Sequence, residues 1–117
     1  MRTSEEVSGL VAAAMTASRL PQINDWASGI LIPPQRQPRR RGYGAQPNEP
    51  LDCWIIGRLA GDTHALAFSD HGPTGTWGIV RLADDWLGAD DAWFSYIEDA
   101  FVAAGWPGTL PDDYEVF

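Results

Sequence analysis

Between residues 52 and 82 the hydrophobic pattern has a period of two. DCWIIGRLA, THALAFS and TWGIVRL are rich in β-branched and aromatic residues, the mark of half-buried strands. Gly61-Asp62, between the first two, is a two-residue connection of the kind that strand twist favours. DHGPTG, before the third, is a longer Gly/Pro-rich turn. The pattern predicts a three-stranded antiparallel meander. His64, Leu66 and Phe68 share one face of it, and Trp77 and Ile79 share one face of the next strand.

On either side the period lengthens. Val7, Leu10, Val11, Ala14 and Met15 recur at spacings of three and four, which predicts an amphipathic helix over 5–19. Ser4 starts it, Glu5 and Glu6 complement its dipole, and Pro21 ends it. Trp26 to Ile32 is apolar and reads as a short strand or an anchoring loop. Near the other end Trp93, Ile97, Ala100, Phe101 and Ala104 form the inward stripe of a second helix. Asp90 is its N-cap, Asp91 lies in its first turn, and Gly105 closes it ahead of Pro107. On that wheel Glu98 and Asp99 fall away from the stripe, toward solvent. Residues 33–50, PPQRQPRRRGYGAQPNEP, hold five of the nine prolines. Proline removes donors and fixes φ, so a basic loop without regular structure is expected there.

The fold class that follows is α+β. An N-terminal helix, an antiparallel sheet of three or four strands and a C-terminal helix on one sheet face make one domain over 1–117. The length of 117 residues and an apolar fraction of 44% suffice for one buried core. One cysteine, Cys53, makes no internal disulfide, which favours a reducing cytoplasm. The small-residue run after Glu5 and Glu6 lacks the basic start of a signal peptide. No apolar run approaches the roughly 18 residues of a membrane span. All eight cations are arginine; with abundant alanine and glycine, this reads as coding bias.

Charge adds what the pattern cannot. Residues 1–41 carry six arginines and three acids, residues 42–83 two and four, and residues 84–117 nine acids and no cation. The stretch ADDWLGADDAW doubles an acidic pair and follows each copy with a tryptophan. A surface helix ordinarily pairs its acids three or four residues away, and after Arg81 the chain has no cation. Two readings stand side by side. One is a solubility surface. The other is a surface that meets a basic protein, with carboxylates steering and aromatics anchoring. The tail GWPGTLPDDYEVF repeats the mixture and tips the balance to the second. The candidate contact residues are Asp84, Asp85, Trp86, Asp90, Asp91, Glu98, Asp99, Trp106, Asp112, Asp113 and Tyr114. The arginines at 36, 39, 40 and 41 read as a loop resting against this acidic end rather than as a nucleic-acid contact, since the chain behind them is acidic.

Catalysis has little to stand on. Cys53, His64 and His71 are the candidate groups, and Asp70-His71 sits in a glycine-rich turn. His64 and His71 lie at opposite ends of one strand, roughly 20 Å apart by strand rise, too far to share a metal. No metal-ligand spacing, phosphate loop or nucleophile elbow is present, and no cofactor is implied. Cys53 alternates into a strand as a small buried hydrophobe would.

SYIEDAFVAAGWPGTLPDDYEVF resembles the signature of the SUKH superfamily, through Ile97, Glu98, Leu110, Pro111, Asp113, Tyr114 and Phe117. That superfamily includes many bacterial immunity proteins that neutralise polymorphic toxins. The resemblance, with the small, acidic, Trp-rich α+β character, implies an inhibitor of a basic toxin such as a nuclease. Two rivals remain. One is a small-molecule or catalytic domain with a pocket of Trp54, Trp77, His64 or His71. The other is a phage-type inhibitor that mimics nucleic-acid charge.

Overall fold

The computed structural model describes residues 2–40, 50–59, 61–88 and 90–115. The architecture is α+β. Helix α1 spans Ser4–Thr16, a 3₁₀ turn Pro21–Ile23, and helix α2 Asn24–Ser28. Strands β1 (Leu31–Arg36), β2 (Trp54–Arg58), β3 (His64–Phe68) and β4 (Trp77–Arg81) follow. A 3₁₀ turn at Asp90–Ala92 leads into β5 (Trp93–Phe94), and α3 covers Ile97–Ala103. The strands form one antiparallel sheet in chain order, β1-β2-β3-β4-β5.

The central hairpins follow the sequence pattern. Gly61 and Asp62 both take positive φ, 87° and 55°, the backbone that a tight hairpin turn needs. Val7 and Val11 of α1, Ile23, Ala27, and Ile97, Ala100 and Phe101 of α3 pack on Trp54, Ile56, Leu66, Phe68 and Trp77. The helices therefore cover one sheet face. The cap of α1 is Thr3, whose hydroxyl accepts from the Glu6 amide at 3.2 Å. Ser4 instead donates to the Pro34 carbonyl.

Three expectations need correction. First, the sheet has five strands, and β1 runs through Pro33 and Pro34 inside the segment expected to hold no regular element. β1 is an edge strand, and its pairing with β2 shifts register between Leu31 and Gln35, so the two prolines fall where the ladder is already interrupted. Second, Trp93 lies on β5 and not on the C-terminal helix. That helix starts only at Ile97, so Asp90 does not cap it. Trp93 packs on the sheet's second face with Cys53, Ile55, Ala65, Ala67, Val80 and Leu87. Its indole lies flat on Gly78, where an added Cβ would sit 2.4 Å from the ring. Third, Glu98 and Asp99 are buried, at 2% and 1% exposure. They lie off the apolar stripe, but Arg19 and Tyr114 close over that side of the helix and shut out solvent.

The Trp93–Gly78 contact gives a prediction. Gly78→Ala forces the indole off its seat, and overpacking of this kind costs about 2 kcal/mol. Thermal unfolding should show a Tm lower by roughly 10 °C for a chain of this size; an unchanged Tm would mean that the indole moves freely.

Candidate partner-binding surface

The second sheet face is covered by two loop segments, not by helices. Residues 37–40 run beside 84–87. The Arg40 amide donates to the Asp85 carbonyl at 2.7 Å, and the Leu87 amide to the Arg40 carbonyl at 2.9 Å. This makes an isolated parallel bridge between Arg40 and Trp86. Arg39 and Arg40 thus rest on the acidic stretch, whereas Arg36 pairs with Asp52 instead; Arg41 lies outside the described residues.

Arg39 holds this arrangement from beneath. It is the largest fully buried side chain, at 1% exposure. Its guanidinium donates to the carbonyls of Asp84 (2.9 Å) and Trp86 (3.1 Å) and to Gln37 Oε1 (2.7 Å). Its Nε is buried without a partner among the described residues, and burial pulls its pKa down from the ordinary arginine value. Leu87 plugs the apolar layer at 0% exposure, and Trp93 Nε1 donates to its carbonyl at 2.6 Å. Thr74 Oγ1 lies 2.7 Å from the carbonyls of both Asp90 and Trp93. Backbone bonds and one buried cation therefore hold 84–87, and Thr74 holds the Asp90 and Trp93 carbonyls.

Two acids of this stretch, Asp84 and Asp91, border a groove of about 470 Å³. Ile79 and Arg81 of β4, Asp84, Trp86, Asp91 and Phe94 are among the residues that line it. His64 and Ala103 of α3 line it as well. Arg81 approaches Asp84 only at 3.9 Å, and Arg40 approaches Asp85 at 3.4 Å, both as exposed pairs. Exposed pairs of this kind contribute about 0–1 kcal/mol. Asp90 and Asp91 form no ion pair among the described residues.

Glu98, Asp99 and Tyr114 are placed elsewhere, in an internal clasp. Arg19 Nε donates to Glu98 Oε2 at 2.7 Å, and its backbone N–H to the same oxygen at 3.0 Å. The NH2 group donates to Asp99 Oδ1 at 2.9 Å and NH1 to the Glu115 carbonyl at 2.7 Å. The rings of Tyr96 and Tyr114 lie 4.6 and 4.9 Å from the guanidinium carbon. The Tyr114 hydroxyl donates to Asp99 Oδ1. Burial first, and then that hydrogen bond, raise the Tyr114 pKa above its ordinary value. Burial works against the Arg19 charge, and the hydrogen bond to Glu98 with the charge of Asp99 outweighs it, so its pKa is raised. The clasp ties the tail to the end of α1. Trp106 is half-buried against the helix-side core, and Asp112 and Asp113 are exposed beside it in the chain. None of the three lines the groove. The candidate residues thus divide into a groove set (Asp84, Trp86, Asp91), two exposed acids beside it in the chain (Asp85, Asp90), a tail set (Trp106, Asp112, Asp113) and an internal set.

The sequence carries a signal for Arg19, though none for Arg39. Two adjacent carboxylates inside an apolar run, Ile97 to Phe101, call for a buried cation. The one arginine flanked by the apolar end of α1 supplies it.

The groups weighed for catalysis do not converge. Trp54 and Trp77 lie in the core. Asp70 is bound by Arg2, Nε to Oδ2 at 2.7 Å, which holds its pKa below the ordinary carboxylate value. Burial pushes the Cys53 thiol up to about 11, so it carries no thiolate at neutral pH. Among the described residues no three His, Cys, Asp or Glu side chains are placed to hold a metal, and no helix is long and apolar enough to cross a membrane. Comparison with protein-family models, curated proteins and solved structures gives no match.

Proposed function

We propose that this chain is a protein-binding inhibitor that occludes a basic partner, most concretely the active site of a toxin of the nuclease kind, as an immunity protein does. The observation that carries the reading is the stretch 84–87, pinned by the buried Arg39 through the Asp84 and Trp86 carbonyls, followed by Asp90 and Asp91, which form no ion pair among the described residues. A surface whose backbone is already ordered loses little conformational freedom on binding. Its charge speeds encounter with a cationic cleft and rejects acidic partners. Trp86 supplies an aromatic anchor, and Asp112, Asp113 and Trp106 form a second patch. An inhibitor that mimics nucleic-acid charge uses the same carboxylates, and the nature of the captured partner separates it from a toxin antagonist. The small-molecule alternative keeps one foothold, the groove beside His64, and predicts a ligand-induced rise in Tm.

The test is a pull-down with the tagged protein at about 0.1 M and 1 M salt, where screening lengths are roughly 10 Å and 3 Å, followed by assay of whatever is captured. A stoichiometric basic protein whose activity is blocked supports the reading. Reversal of Asp90 and Asp91 to Lys should then weaken binding by about tenfold or more with little change in Tm, because neither is ion-paired among the described residues; reversal of Asp84 and Asp85 as well should deepen the loss at a cost in Tm, because their charges support the buried Arg39. Wild-type affinity in either variant would sink the proposal, as would the absence of any protein partner at either salt.

A further inference from the structure

The groove lies where the sheet stops short. All five residues of β4 pair with β3, from Trp77↔Phe68 to Arg81↔His64. On its other side β4 meets β5 only at Trp77↔Phe94 and Gly78↔Trp93. Ile79, Val80 and Arg81 therefore have no strand partner on that edge among the described residues. The Ser69 amide bonds to the Thr76 carbonyl and the Leu82 amide to the Thr63 carbonyl. Backbone bonding alternates along an antiparallel strand, so Ile79 and Arg81 turn their N–H and C=O groups away from β3, toward the groove. The Asp84 amide takes the Arg81 carbonyl at 3.1 Å, which leaves the Arg81 N–H facing the open space.

The groove borders this open edge. One side is α3, which presents the small side chain of Ala103, and the other is the pinned loop with Asp84, Trp86 and Asp91. Side chains of an added strand alternate between these two sides. Small apolar residues fit the α3 side. Arginine fits the loop side, because a guanidinium is planar, stacks on an indole and forks onto carboxylates. Net charge selects the occupant: Arg81 brings one positive charge to the groove, and Asp84 and Asp91 bring two negative ones.

We infer that an extended segment of the basic partner adds to the Ile79–Arg81 edge as a short strand, with arginine side chains between Asp84 and Asp91 and over Trp86. This rests on the proposed function and deepens it, by naming backbone pairing as the mode of docking and arginine as the anchor.

The probe is a capped Val-Arg-Val-Arg-Val peptide, followed by NMR and amide hydrogen exchange on the full chain. Saturable shifts are expected at Ile79, Arg81 and the Trp86 indole, with exchange of the Arg81 amide slowed about tenfold or more. A peptide N-methylated at its bonding amides should lose this binding, and lysine in place of arginine should weaken it several-fold. Asp84→Asn with Asp91→Asn should weaken it about tenfold, and Arg81→Ala should strengthen it. If the N-methylated peptide binds as well and Arg81 exchange is unchanged, while Asp85 and Asp90 shift, strand addition is overturned and the inhibitory acidic face stands. Concentration-dependent pairing of the chain with itself through this edge, with no effect of peptide, overturns the partner as occupant. If neither the peptide nor any basic protein binds, both readings fall.

Discussion

Arg19→Met should destabilise the fold by about 3–5 kcal/mol, measured by urea or thermal unfolding. The side chain is partly open, with 30% exposure, but its partners are not: the Glu98 and Asp99 side chains are 3% and 0% exposed. Removal of the guanidinium takes its positive charge away from two adjacent buried carboxylates. It also frees the Glu115 carbonyl and removes the cation between the Tyr96 and Tyr114 rings. Methionine keeps most of the stem volume, so the loss reports charge rather than a cavity. Adding Glu98→Gln and Asp99→Asn in the same chain should recover a good part of it, since neutral amides cost less to bury unpaired than carboxylates. A loss below about 1 kcal/mol would class the clasp with ordinary surface pairs and return Glu98 and Asp99 to the accessible acids.

That clasp also marks the limit of what periodicity reveals. The strands at 54–58, 64–68 and 77–81 were legible because alternation is a local property, and each strand buries residues on both faces. The positive φ at Gly105 was legible too, since only glycine takes that conformation without strain at a helix end. Glu98 and Asp99 were misplaced because their burial is decided by an arginine roughly eighty positions away in the chain. Trp93 was assigned to a helix because its spacing to Ile97 fits one. Contact with Gly78, on a different strand, overrides that spacing. In each case a local pattern competes with a tertiary partner that no window on the sequence contains. The acidic stretch 84–91 was legible as a charge anomaly. Its fixed path was not, because the residue that fixes it, Arg39, sat in a run that looked like solvated cations.

Replacement of Arg39 should uncouple fold from function more sharply than any change in the groove itself. Arg39→Ala removes a wholly buried side chain and should cost about 4 kcal/mol, through a cavity and the stranded Asp84 and Trp86 carbonyls together. Arg39→Met fills most of the volume and isolates the second contribution, about 2 kcal/mol for two carbonyls that lose a charged donor. Part of even that loss is offset, because the native guanidinium is itself buried with Nε unpartnered and no carboxylate in direct contact. The larger effect of Arg39→Met falls on 84–87. Hydrogen exchange at the Leu87 amide, which donates to the Arg40 carbonyl, should accelerate by about a hundredfold while the β2–β3 core stays protected. Partner affinity should fall by about tenfold or more, although every acid and Trp86 remain in place, because the loop must then be ordered on binding. Loosened exchange with full affinity would show that the partner orders the loop for itself. Unchanged exchange would show that the Arg40–Trp86 bridge, and not the buried cation, holds the acids in position.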